Sequence, residues 1–163
     1  MCMEHTCTLG DFTSFLRVTC GFDFDNERHT FGERIKLQKY VFLALKMGMK
    51  AIVPLDYSMY IRGPYSSMLA DIYFNGKEWH RSLFSTDRFD VTRYVRALSD
   101  RDTLWLEVAS TILFVNGHTL AAYEEPPTRD MAIERVLALK SYDRGAVGRI
   151  YDDLVHVGLI QAK

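Results

Sequence analysis

The side chains in this sequence that could hold a metal, relay a proton or attack a carbonyl are scattered rather than grouped. His5, His29, His80, His118 and His156 stand apart, and none forms the i, i+4 pair with an intervening Glu that zinc hydrolases use. Cys2, His5, Cys7 and Cys20 offer thiolate and imidazole, the ligands zinc prefers, but at irregular spacing. Three cysteines make no disulfide framework, and reduced thiols are the simpler reading. Gly145-Ala146-Val147-Gly148 lacks the Lys and Ser or Thr of a phosphate loop, and there is no Gly-x-Ser-x-Gly elbow. A hydrolase would have to gather dispersed acids and histidines into one cleft. The expectation is a protein that is not an enzyme, with no cofactor and no metal.

Binding chemistry is better represented. Between Glu33 and Lys50 stand Arg34, Lys36, Lys39, Lys46 and Lys50, which make either a basic face or a solvated helix surface. A net charge of −1 argues against strong nucleic-acid binding. Near the C-terminus, Met131 to Lys140, a turn at Ser141-Tyr142 and Arg144 to Val157 have helix-turn-helix proportions. The run Leu154 to Ile160 looks like the close of a winged-helix recognition helix, in which Arg144 and Arg149 would face phosphates or bases. Asp152 and Asp153 on that helix oppose this, and little sequence follows for a wing.

Elements able to position these groups can be read from capping signals and apolar spacing. Thr8 with Asp11 starts a helix that buries Phe12, Phe15 and Leu16 and stops at Gly21. Thr30 with Glu33 starts a second, with Leu37, Val41, Phe42 and Leu45 inward, running to Gly48. Ile52-Val53-Pro54 and the alternation from Tyr57 to Arg62 predict a two-stranded ribbon, after which Gly63-Pro64 turns the chain. Ser66 caps a helix carrying Met68, Leu69, Ile72 and Tyr73, closed by Gly76. Lys77 to Phe89 reads as irregular, pinned by Trp79, Leu83 and Phe84. Asp90 caps a short helix with Tyr94, Val95 and Leu98. Asp100 starts a central one, from Leu104 to Val115, that Gly117 stops. Thr128 and Asp143 cap the last two, the first with Met131, Val136 and Leu139 inward, the second with Val147, Ile150, Leu154 and Val155.

The stretch Leu37-Gln38-Lys39 with Phe42 and Leu43, followed by Tyr60-Ile61-Arg62-Gly63-Pro64-Tyr65-Ser66-Ser67, resembles the YwgA-like proteins. These are close in pattern to SocA-like or Panacea-type domains, where a Leu-Gln-Lys helix leads into a Gly-Pro-Tyr-Ser turn. The resemblance continues more weakly through Leu104 to Leu113 and through Asp152, Leu154, Gly158, Leu159 and Ile160. For YwgA-like proteins it implies no established activity; for SocA-like relatives it implies antitoxin or protease-adaptor roles. Neither implies an active site.

Each motif residue also has a structural task. Gln38 lies on the inward side of its helix, where a buried amide needs partners, and the backbone of the nearby ribbon is expected to supply them. Gly63 opens a backbone conformation closed to other residues, Pro64 fixes the next step and Ser66 satisfies a free amide. Left over for a partner protein are Lys39, Arg62 and Tyr65, joined by Trp79 on the Lys77 to Phe89 segment, since aromatic and Arg side chains anchor interfaces.

At 163 residues, with 48% hydrophobic and 25% charged side chains, the sequence fits one domain spanning 1–163. No apolar run approaches the roughly 20 residues of a membrane span, and Met1 to Gly10 does not read as a signal peptide, so a cytoplasmic location is expected. The fold expected is mainly α, a multi-helix single domain with a small two-stranded ribbon and winged-helix-like proportions near its end. The leading function is a non-catalytic interaction module, antitoxin-like or adaptor-like. The alternative is a DNA-binding regulator.

Overall fold

Hydrogen bonds local to the chain decide where the first helices begin. In the computed structural model, which describes residues 5–161, Thr6–Thr8 forms strand β1 and passes directly into helix α1, Leu9–Cys20. Thr8 accepts a hydrogen bond from the Asp11 amide at 3.0 Å while the Asp11 carboxylate accepts one from the Thr8 amide at 3.0 Å. Gly21, at φ 67°, ends the helix. Thr30 and Glu33 repeat the reciprocal cap at the start of α2, Phe31–Lys46. In both cases a Thr and an acid three residues apart satisfy amides that have no partner inside the helix.

The chain divides into two compact units. The first takes the described residues up to Ser58 together with Tyr65–Arg101. Its elements after α2 are β2 (Lys50–Ala51), α3 (Ser67–Phe74), a 3-10 turn at Glu78–His80, β5 (Ser82–Ser85) and α4 (Val91–Leu98). Strands β1, β5 and β2 form an antiparallel sheet with β5 in the middle, where Phe84 faces Cys7 on one side and Ala51 on the other. The segment expected to be irregular therefore contributes the central strand. It carries no alternating signature because neighbouring Leu83 and Phe84 are both buried, one on each face of the sheet.

Helix α2 is the core of this unit rather than an amphipathic surface helix, since Leu37 to Ala44 are buried without interruption. Of the five bases expected to make an exposed face, Lys39 is enclosed, at 1% exposed, whereas Lys46 and Lys50 are exposed and Arg34 and Lys36 half-buried. Phe12, Phe15, Phe84, Phe89 and Tyr94 pack as a ring cluster beside it, with Tyr94 donating its hydroxyl to the Tyr40 carbonyl at 2.7 Å. Asn75, one residue before the expected Gly76, closes α3, and Met68 lies outside the core.

The ribbon consists of β3 (Ser58–Tyr60) and β4 (Gly63–Tyr65), so Ile52 to Pro54 take no part in it. Gly63-Pro64 lies within β4 and the reversal falls at Ile61-Arg62, which corrects the expected Gly-Pro turn.

The second unit comprises Met59–Pro64 and the described residues from Asp102. Asp102, not Asp100, caps α5, Thr103–Tyr123, which passes through Gly117 and ends at Glu124, at φ 58°. Glycine within a helix costs about 1 kcal/mol against alanine, too little to stop a helix whose next turn packs Thr119 inward. Helices α6 (Arg129–Leu139) and α7 (Arg144–His156) start at Thr128 and Asp143 as expected and pack on α5 and on each other. Met131 and Leu139 face outward, a correction of their expected burial, which leaves Ala132, Ile133 and Val136 as the inward set on α6. Seven helices and two small sheets make the described chain mainly α. No helix among the described residues is long and apolar enough to cross a membrane.

Candidate functional site

The residues singled out in the sequence fall into both units and are taken unit by unit. In the first, the Leu-Gln-Lys motif meets the Tyr-Ser motif through one amide. The Gln38 side chain donates to the Ser66 carbonyl at 2.9 Å and accepts from the Ser66 amide at 2.9 Å. It thereby supplies the partner of the buried Ser66 amide and a second donor to the Ser66 carbonyl, which also accepts from the Ala70 amide at 3.1 Å. The partner is one residue past the ribbon, not in it. Ser66 also donates its hydroxyl to the Leu55 carbonyl and accepts from the Leu69 amide at 3.1 Å, which caps α3. Tyr73 extends the group, its hydroxyl 3.5 Å from the Gln38 amide nitrogen, and burial raises its phenol above the ordinary value. Tyr57 donates to the Gln38 main-chain carbonyl at 3.4 Å, and burial likewise holds its phenol protonated.

Two of the expected partner contacts lie inside this unit. Lys39 is enclosed within α2, and Trp79 is buried with its ring stacked 6.0 Å from Phe24 and laid against Gly10. Neither offers a partner much surface, which corrects their assignment as interface anchors. The sequence signal for Trp79 was the preference of Trp for interfaces, and the same large ring serves a core equally well. Tyr65 is half-buried at the end of β4. Cys7 is buried, its thiol pushed up to about 12 by burial, and Cys20 is raised by the same cause. Cys2 lies outside the described residues. Among the described residues no three of His, Cys, Asp and Glu come together as metal ligands would.

In the second unit the hairpin tip is the most exposed apolar feature of the ribbon. Ile61 is 86% exposed and Tyr60 49% exposed, and Arg62 beside them is exposed too. Their backbone is nonetheless held: Lys140 donates to the carbonyl of Tyr60 and, at 3.0 Å, to that of Ile61. Leu139, the preceding residue, is 56% exposed. Gly63, at φ 89°, and Pro64 are buried behind the tip. Inside the same unit Tyr142 donates to the buried Glu107 carboxylate at 2.9 Å, and burial raises its phenol while the nearby Arg62 charge works to lower it. Sequence reasoning passed over Lys140, Tyr142 and Glu107. Glu107 alone carried a signal, an acid within the apolar run of α5; Lys140 and Tyr142 look like ordinary helix-end and turn residues.

The helix pair α6 and α7 has the expected proportions, joined by residues 140–143. Arg144 pairs with Glu134 at 2.5 Å, whereas Arg149 is exposed. Asp152 is engaged by Arg129 through two contacts of 2.9 and 3.1 Å, which hold its carboxyl below the usual range, and Asp153 accepts from the Trp105 indole at 2.9 Å. Compared with protein-family models, with curated proteins and with solved structures, the chain matches none.

Proposed function

We propose that this chain is a non-catalytic interaction module, antitoxin-like or protease-adaptor-like in kind, which binds a partner protein through the Tyr60-Ile61-Arg62 tip. The observation that carries this reading is an isoleucine 86% exposed on a backbone clamped by Lys140. An exposed apolar side chain on a fixed backbone loses little conformational freedom when it enters a partner's pocket. Tyr60 and Arg62 beside it are residue types enriched at interfaces. Resemblance of the Leu-Gln-Lys and Gly-Pro-Tyr-Ser segments to SocA-like domains supports the same class. The test is capture of partners by wild type and by a Tyr60→Ser, Ile61→Asp double variant of unchanged circular dichroism. Loss of the captured protein in the variant is expected; identical capture, or none by wild type, sinks the reading.

DNA binding through α7 is the second reading, supported by the exposed Arg149 on a helix of recognition-helix length. It is the weaker because Arg144 is already paired with Glu134 and two acids share the helix. A salt-dependent shift of duplex DNA that disappears in Arg149→Ala would favour it over the first.

A further inference from the structure

An open cleft of about 740 Å³ lies in the first unit, between the loop that precedes α2 and the C-terminal end of α3. Arg28, His29, Arg34 and His80 line it together with the ring of Phe74, and Glu27 is the acid on its wall. The Arg34 guanidinium is fixed at its base by donation to the His29 carbonyl at 2.8 Å and by a contact of 3.1 Å to His29 Nδ1. It sits 5.3 Å from the Phe74 ring centre and 6.0 Å from that of Phe31. The His29 ring is itself stacked on Phe24, 4.9 Å away and 11° from parallel. Phe74 remains 63% exposed despite these neighbours, so one side of the ring is open to a ligand.

The set combines two kinds of recognition in one place. Two guanidiniums favour a polyanion, Arg matches phosphate oxygens in a bidentate manner, and the His80 imidazole adds a hydrogen-bonding group beside them. A half-open aromatic ring beside them offers a stacking platform for a planar base, whatever its sequence identity. The volume falls within the range of small-molecule sites. We propose that this cleft binds a nucleoside polyphosphate, with its phosphates on Arg28, Arg34 and His80 and its base against Phe74. Neither the hairpin tip nor α7 takes part, so the site stands or falls apart from the function proposed above.

The experiment is a titration of the full chain with ADP, pyrophosphate and adenosine, followed through the imidazole NMR signals of His29 and His80. ADP is expected to shift both signals and to bind at least about tenfold more tightly than either fragment, a difference equivalent to 1.4 kcal/mol. Arg28→Ala and Phe74→Ala should each weaken ADP by about tenfold, with Phe74→Ala leaving pyrophosphate unchanged. Melting temperatures of the variants show that the fold is retained; should Phe74→Ala unfold, Phe74→Leu, which keeps apolar bulk and removes the ring, replaces it. Absence of any shift with ADP, equal affinity for ADP and pyrophosphate, or wild-type ADP affinity in the Arg28 variant would each overturn the proposal.

Discussion

Gln38 pairs with Ser66 as one β-strand residue pairs with another, its side-chain amide standing in for a backbone with 2.9 Å contacts in both directions. A helix interior is thereby joined to the residue that caps α3, 28 positions later in the chain. Removing the amide leaves the buried Ser66 N–H unpaired, at about 1–3 kcal/mol, while its carbonyl still accepts from the Ala70 amide at 3.1 Å. Gln38→Leu should therefore lower stability by about 1–3 kcal/mol, read as a lower urea midpoint at unchanged slope. A change under 0.5 kcal/mol, roughly the scatter of surface substitutions, would mean the pairing is not what joins the two segments.

Gln38→Glu carries a pH signature. A carboxylate can accept from the Ser66 amide but cannot donate to its carbonyl, whereas the protonated acid can do both. The folded state then favours the proton, so the new group's folded pKa lies above its unfolded value of about 4.3. The penalty from ionisation is absent below about pH 4 and grows as pH rises through the folded pKa. Urea titrations at pH 4 and pH 7 should show the variant closer to wild type at the lower value. Equal deficits at both would exclude ionisation as the cause.

Alkaline instability follows from the buried acids of the first unit. Burial pushes Tyr40 up to about 12 from an ordinary 10, and Cys7 up to about 12 from 9. Both are neutral when protonated, and the folded state retains their protons to higher pH than the unfolded chain does. Stability from this source is complete below about pH 9 and is lost as pH rises through about 12. Thermal melts at pH 8 and pH 10.5 should differ, and Cys7→Ala should remove part of the difference while costing packing at both. A flat profile would show that these groups titrate alike in the two states.

What could be read in advance was local. The Thr8 and Asp11 pair and the Thr30 and Glu33 pair set helix starts within four residues, and both caps formed as their spacing implied. The mainly α class followed from the same periodicity. Strand β5 was hidden because its partners, β1 and β2, are distant in sequence and its buried residues are neighbours rather than alternates. Lys39 carried the signature of a solvated base, and nothing local says that the middle of α2, from Leu37 to Ala44, is covered all round. Gln38 was legible as an amide in need of partners, but which backbone supplied them depended on tertiary placement. The Lys140 clamp on the hairpin tip joins residues 79 and 80 positions apart and leaves no trace in either segment alone.

Gly48 and Gly32 make a contrasting pair for alanine substitution. A Cβ on Gly48 would lie 1.9 Å from the Arg88 carbonyl oxygen, and its φ of +98° strains any L side chain. Gly48→Ala should cost about 2–5 kcal/mol through displaced backbone and strain together. Gly32 lies in the first turn of α2 with open space around it. Gly32→Ala should stabilise by up to about 1 kcal/mol. Opposite signs in urea denaturation are the expected result, and a neutral Gly48→Ala would contradict the close approach.

The hairpin tip separates stability from recognition, and Lys140 is the residue on which the two can be pulled apart. Its ammonium satisfies the Tyr60 and Ile61 carbonyls at the surface, where water can replace it, so Lys140→Met should cost no more than about 1 kcal/mol of stability. The tip backbone would nevertheless lose its tether, and amide exchange at Ile61 and Arg62 should quicken while that of α5 stays unchanged. If the tip is the docking element, ordering it again on binding adds a cost, and partner affinity should fall by roughly tenfold although no contacting side chain has been altered. Ile61→Asp should do the converse, leaving exchange at the tip near wild type while abolishing capture. A Lys140→Met chain with faster tip exchange and undiminished affinity would separate the clamp from function and leave Ile61 exposed for some other reason.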